Sequence, residues 1–78
     1  MGSSIGVDSH KCSLAAAAVD ELGRVIGVCE FPNDPQGHRA LLEWAQNHEA
    51  PRAIGVEGSG NYGAALCRTL AFSGEQVH

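Results

Sequence analysis

Apolar and polar side chains alternate at the start of the chain, where Ile5 and Val7 stand among Ser4, Gly6, Asp8 and Ser9. A period of two marks a strand with one buried face, so a first strand is expected over 4–9. From residue 33 the period changes. In "PNDPQGHRALLEWAQNHEAP", His38, Leu41, Leu42 and Ala45 recur at i, i+3, i+4 and i+7, one face of a helix. Asn33 or Asp34 can cap that helix, Pro35 suits its first turn, and Pro51 stops it. "RAIGVEG" at 52–58 then reads as a short buried strand. "SGNYGAALCRTLAFSG" follows as a second helix, with Tyr62, Ala65, Leu66, Thr69 and Leu70 on one side and Gly74 at its end. "EQVH" opens another extended segment.

The stretch "CSLAAAAVDELG" has no decisive period. Alanine is the best helix former, so propensity alone makes 13–22 a helix. Yet "VDELGRVIGVCEF" reads as two strands joined by a tight turn, with Asp20 opening the turn and Gly23 taking the left-handed conformation. As a strand, 12–20 would offer small alanines over which a helix can pack closely. Taken as a strand, it makes the order a hairpin meander followed by strand–helix–strand units, an α/β layer fold.

The 78 residues make room for one small domain, marginally stable without further support. With 44% apolar and 18% charged residues, the composition is that of a soluble globular chain. The net charge is -4, and the five cations stand singly at Lys11, Arg24, Arg39, Arg52 and Arg68. These residues alone do not make a DNA-binding surface. Metal ions or other protein segments would have to offset phosphate repulsion if such a domain touched DNA. Cys12, Cys29 and Cys67 lack metal-ligand spacing and are expected as buried thiols in a reducing compartment. No apolar run approaches the ~20 residues of a membrane span and no signal-peptide pattern opens the chain, so a cytoplasmic location without a membrane partner is expected.

Two words of the sequence, "IGVD" at 5–8 and "IGVE" at 54–57, are apolar runs that end in an acid. If their strands lie parallel and adjacent, Asp8 and Glu57 meet at the carboxyl end of the sheet, where α/β folds collect ligands. Mg²⁺ prefers hard carboxylate oxygens, and two such ions about 3.5–4 Å apart can serve phosphoryl transfer. The plainer alternative is a pair of solvated strand tips, with Glu57 favoured electrostatically before a helix start. Both readings stand on the residues alone.

The glycines of "EGSGNYG" can cradle phosphate through backbone amides. Their spacing matches neither a dinucleotide fingerprint nor a P-loop, so a tight strand-to-helix turn explains them better. Ser59 is no nucleophile elbow, because Glu57 stands where that motif needs glycine. Asn61 and Tyr62 are candidates to orient a nucleic-acid backbone. Lys11 is either a phosphate-neutralising group beside the acids or an exposed turn cation. His38 and His48 are assigned to the first helix, packing or facing water.

Together, "IGVDSHK", "AAAAVDELGRVIG", "EFPNDPQGHRALLEWA" and "AIGVEGSGNYGAALCRTLAFSGEQV" resemble the N-terminal RuvC-like domain of the insertion-sequence 110 family of transposases. The resemblance runs in order over essentially the whole chain. Its specific parts are the Asp-x-His-Lys start and the Val-Glu-Gly-x-Gly-x-Tyr-Gly stretch. It favours the strand for 12–20 and implies an α/β, RNase H-like (RuvC-like) fold. Here that fold is truncated to a three-strand antiparallel meander, a helix, a parallel strand, a helix and the start of a fifth strand.

The resemblance also implies a four-acid Asp-Glu-Asp-Asp site, of which Asp8 and Glu57 are the first two, catalytic and metal-ligating, with Mg²⁺ as cofactor of the complete domain. It implies DNA transposition and recombination, with DNA and a guide RNA as partners of a full-length homo-oligomer. Residues 1–78 would then be the N-terminal part of the catalytic domain, incomplete at its C-terminal end and inactive alone. The family's serine nucleophile belongs to a separate C-terminal domain, so neither Ser9 nor Ser59 corresponds to it. Three other classes compete. An actin-like sugar kinase or ATPase lobe opens similarly, but "DSHK" lacks its phosphate-binding glycine. A Holliday-junction resolvase or ribonuclease would share the fold, and a non-catalytic remnant would have only a folding or assembly role.

Overall fold

The computed structural model describes residues 2–58 and 61–78. The elements run β1 (Ser3–Ser9), β2 (Ser13–Asp20), β3 (Val25–Pro32), α1 (Pro35–Gln46), β4 (Arg52–Glu57), α2 (Ala64–Phe72) and β5 (Gln76–Val77). The strands form one sheet in the order β3-β2-β1-β4-β5. β1, β2 and β3 pair antiparallel, whereas β4 is parallel to both β1 and β5.

The alanine run is a strand. It lies between β1 and β3, so its backbone is paired on both sides, and Leu14, Ala16 and Ala18 point into the core. Pairing on both edges outweighs helix propensity, which is a preference of tenths of a kcal/mol per residue. The turn into β3 is built as its residues suggest. Asp20 Oδ1 accepts from the N–H groups of Leu22 and Arg24, each at 2.9 Å, and Gly23 has φ +84°.

Helix α1 starts on Asp34, whose Oδ1 accepts from the Gly37 N–H at 2.7 Å. A side chain at Gly37 would run into the Pro32 carbonyl. The helix ends at Gln46, before Pro51, and His48 lies beyond it with Nδ1 3.0 Å from the Trp44 carbonyl oxygen. Trp44 packs edge-on against Phe31, with ring centroids 5.9 Å apart.

Helix α2 begins later than its pattern suggests. Asn61 and Tyr62 belong to a turn closed by the Ala64 N–H donating to the Asn61 carbonyl at 3.2 Å. The buried positions of α2 are Leu66 and Leu70, whereas Tyr62 and Ala65 are exposed. Counting Tyr62 as helical rotated the expected face away from the real one. Gly74, at φ +86°, ends the segment as expected.

The core occupies one side of the sheet. Ile5, Val7, Leu14, Ala16, Ala18, Phe31 and Ile54 meet Leu41, Ala45, Leu66 and Leu70 of the two helices. Among the described residues the opposite side carries no helix, and Ser4, Gly6, Asp8 and Val28 are exposed there. β4 is less enclosed than expected, with Ile54 its one fully buried residue. The cysteines also depart from expectation. Cys12 is exposed in the β1–β2 bend, Cys29 and Cys67 are half-buried, and all three are free. Among the described residues, no helix is long and apolar enough to cross a membrane.

Two polar ties hold the periphery. Arg52 makes a two-pronged pair with Glu75, at 3.1 and 2.8 Å, and donates to the His48 carbonyl at 2.9 Å. The guanidinium holds the Glu75 carboxyl below its ordinary range. His38, 4% exposed, has its Nε2 2.7 Å from Asn33 Oδ1. The Asn33 amide nitrogen donates to two carbonyls, which fixes Oδ1 as acceptor and makes Nε2 the protonated nitrogen of His38.

Burial lowers the His38 pKa, against a smaller upward pull from Asp34. The unfolded chain therefore binds more protons than the native one between the folded pKa of His38 and its ordinary value near 6.5. The stability arising from neutral His38 is complete above that ordinary value and is lost as the pH falls below it. Urea midpoints should drop from pH 7 to pH 5, and His38→Gln should flatten the drop. Glu75→Gln at pH 7 should cost about 1.5–3 kcal/mol, because it removes a charge-assisted, largely buried pair.

Candidate functional site

Strands β1 and β4 pair from Ser3↔Arg52 through Gly6↔Gly55 to Asp8↔Glu57. Register partners on neighbouring parallel strands leave the sheet on the same face. Val7 and Val56 turn toward the helices, so Asp8 and Glu57 turn toward the open side, and both are exposed. Adjacent strands are about 4.8 Å apart, which places two carboxylates within reach of one hard cation or of a closely spaced pair.

Each acid has a different surrounding. Asp8 Oδ2 is 3.2 Å from His10 Nε2, with both side chains more than half exposed. Glu57 makes no side-chain hydrogen bond or ion pair among the described residues. No group of three or more His, Cys, Asp or Glu gathers to hold a metal among the described residues. The structure thus brings together one pair of acids, with His10 beside the first.

The backbone behind the pair is locked. Ser9 is 3% exposed, and its hydroxyl donates to the Glu57 carbonyl at 2.7 Å, joining the tips of β1 and β4. Gly58 follows at φ +147°, and a side chain there would run into Ser9. A β-carbon at Gly63 would stand 2.7 Å from Val56 Cγ1 and 3.1 Å from Ser9 Oγ. The glycines at 58 and 63 therefore serve close approach of β4, the α2 turn and Ser9. Ser59 and Gly60 lie outside the described residues, and with them part of the suggested phosphate cradle.

Asn33 ties the same end from the other direction. Its amide nitrogen donates to the carbonyls of His10 and Tyr62, both at 2.8 Å, linking the bend after β1 to the turn before α2. Neither Ser9 nor Asn33 stood out as a tie in the sequence. A signal existed for Ser9: the alternation of β1 makes it an inward position, and a buried hydroxyl needs a partner.

The three suggested nucleic-acid contacts have different surroundings. Asn61 shares a shallow cleft of about 230 Å³ with Glu57, Gly58 and Ser9. Lys11 is exposed in the β1–β2 bend. Tyr62, 43% exposed, is absent from that cleft and lines a groove between α1 and α2 that Asn61 also borders.

These features define an α/β sheet domain with two acids side by side at the ends of two parallel strands. The family model of IS110-type DEDD transposases, described as Transposase, matches residues 5–78, and the chain belongs to that family. No curated protein matches it. The membership leaves the kinase-lobe and resolvase readings without support.

Ser9→Ala should lower stability by about 1–2 kcal/mol, by leaving the Glu57 carbonyl without its donor. Asn33→Asp should cost at least as much, because a carboxylate cannot donate to two carbonyls. Lys11→Ala should stay within about 0.5 kcal/mol of the parent. Chemical denaturation followed by circular dichroism measures all three.

Proposed function

We propose that Asp8 and Glu57 are the first two acids of a divalent-metal site in a DNA transposase, and that residues 1–78 are the N-terminal part of its RNase H-like catalytic domain. The Asp8↔Glu57 register is the observation that carries this reading. Support also comes from the strand order, with its antiparallel meander beside a parallel strand, and from the transposase family match.

The residues fit such an ion as far as two ligands go. They are hard oxygen donors on one face, open to water, and among the described residues neither pairs with an arginine or lysine. Mg²⁺ bound there would supply charge stabilisation for the attacking and leaving oxygens of DNA strand exchange. The chain's own residues do the positioning. Asp8 and Glu57 offer their oxygens from adjacent strands, and Ser9 and Gly58 set the spacing of the strand tips. Asn61, which shares the cleft with Glu57, orients a phosphate backbone near the tips, and Lys11 offsets its charge. DNA and a guide RNA are the partners of this reading, within a homo-oligomer, and the three free thiols suit a reducing cytoplasm.

Two neighbouring carboxylates without further ligands repel each other and bind metal weakly. This chain alone is therefore expected neither to cut nor to join DNA. Manganese titration watched by NMR should broaden amide signals around residues 8–10 and 57–58 first, and Asp8→Asn should abolish that selectivity. Broadening centred elsewhere, or unchanged in Asp8→Asn, would refute the site. Mg²⁺-dependent nicking of DNA by this chain, lost in Asp8→Ala, would refute its inactivity.

A further inference from the structure

We infer that the groove between α1 and α2 is a seat for an amphipathic, acidic helix of a protein partner. Helix α2 is the first reason. Its sequence AALCRTLAF carries a single charge, Arg68, and apart from that residue its outward side is as apolar as its inward one. Leu66 and Leu70 face the core, while Ala64, Ala65, Ala71 and Phe72 are exposed, Phe72 at 95%. A helix with apolar residues on both faces normally has both covered, and small outward residues let another helix approach closely.

The groove beside it measures about 940 Å³, and its lining includes Leu42 of α1 with Ala65 and Phe72 of α2. Helix-in-groove recognition uses such an apolar trough between helices.

Charge selects the occupant. Arg24 is paired with Asp20 and Arg52 with Glu75. Arg39 and Arg68 have no hydrogen bond or ion pair among the described residues, and both line this groove. The one carboxylate in the lining, Asp34, is engaged in capping α1. An otherwise acidic chain thus presents its two unpaired guanidinium groups along one apolar trough. A helix with an apolar ridge and flanking carboxylates complements both features.

Nucleic acid suits the groove less, because two cations on a chain of net charge -4 give little phosphate affinity. A second copy suits it less too. Arg68 is central on the outward stripe of α2, and a two-fold pairing of that stripe would set it against Arg68 of the other copy. The groove is on the helical side of the sheet and the acids are on the open side, so this inference stands apart from the metal reading, although Asn61 borders both the groove and the Glu57 cleft.

The test uses the whole chain and two synthetic amphipathic peptides of about 15 residues, long enough to become helical on binding. Both carry leucines at i, i+3, i+4 and i+7, flanked in one by glutamates and in the other by lysines. Fluorescence anisotropy should show the glutamate peptide binding at least about tenfold more tightly than the lysine peptide. Phe72→Asp should weaken it by a similar factor. Arg39→Glu combined with Arg68→Glu should reverse the preference, a gain of lysine-peptide binding that unfolding cannot produce.

Equal binding of the two peptides, binding of neither, or a double variant with unreversed preference would overturn the inference. Sedimentation showing a dimer of the chain that Phe72→Asp dissolves would overturn it in favour of a second copy. An oligodeoxynucleotide that displaces the glutamate peptide would overturn it in favour of nucleic acid.

Discussion

The parallel pairing of β1 with β4 is the constraint on which the remaining structure depends. It sets Ile5 beside Ile54 and Val7 beside Val56, and so forms the centre of the core. By the same register it sets Asp8 beside Glu57 on the other face. A slip of one residue would move every side chain of one strand to the wrong side. Two buried serines hold the register at its ends. Ser3 binds the 49–51 segment through its N–H to Pro51 and its hydroxyl to Glu49, and Ser9 binds the Glu57 carbonyl. A hydroxyl hidden from water is costly unless it is satisfied, so both bonds favour this register over its neighbours.

The sheet that results is one-sided. Both helices pack on one face, and their contacts with the alanines of β2 and with Phe31 bury the apolar strand residues. The other face presents Gly6, Ala17 and Gly55 in one row, small residues that leave the two acids standing above a low floor. Structural duty and candidate chemistry are thereby separated by the thickness of a sheet. Both acids stay exposed to water while the core closes on the far side.

The link between the two faces lies at the strand tips. Asn33 joins the bend after β1, the α1 cap region and the turn before α2, while Ser9 joins β1 to β4. Glycines 58 and 63 allow the backbones to come that close. The helical layer thus fixes the tips from behind. Helix α2 takes part with its inner residues only, which leaves its apolar outer stripe, with Arg68, available for a separate purpose.

Much of this was legible in the sequence wherever the rule is local. The period of β1, the Asp34 cap with Pro35 after it, and the Asp20–Gly23 turn each depend on residues within a few positions of one another. The alanine run was not legible by its own pattern, because its helix propensity and its strand pairing point in opposite directions. The start of α2 was misjudged because Tyr62 fits a helical count yet is held in a turn. Ser9 and Asn33 were missed as ties because their partners lie 48, 23 and 29 positions away. By itself the sequence determined that two apolar strands end in acids and that helices follow the meander. Only the tertiary structure decided that those acids share one face in register, because strand pairing is a long-range choice made by the whole core at once.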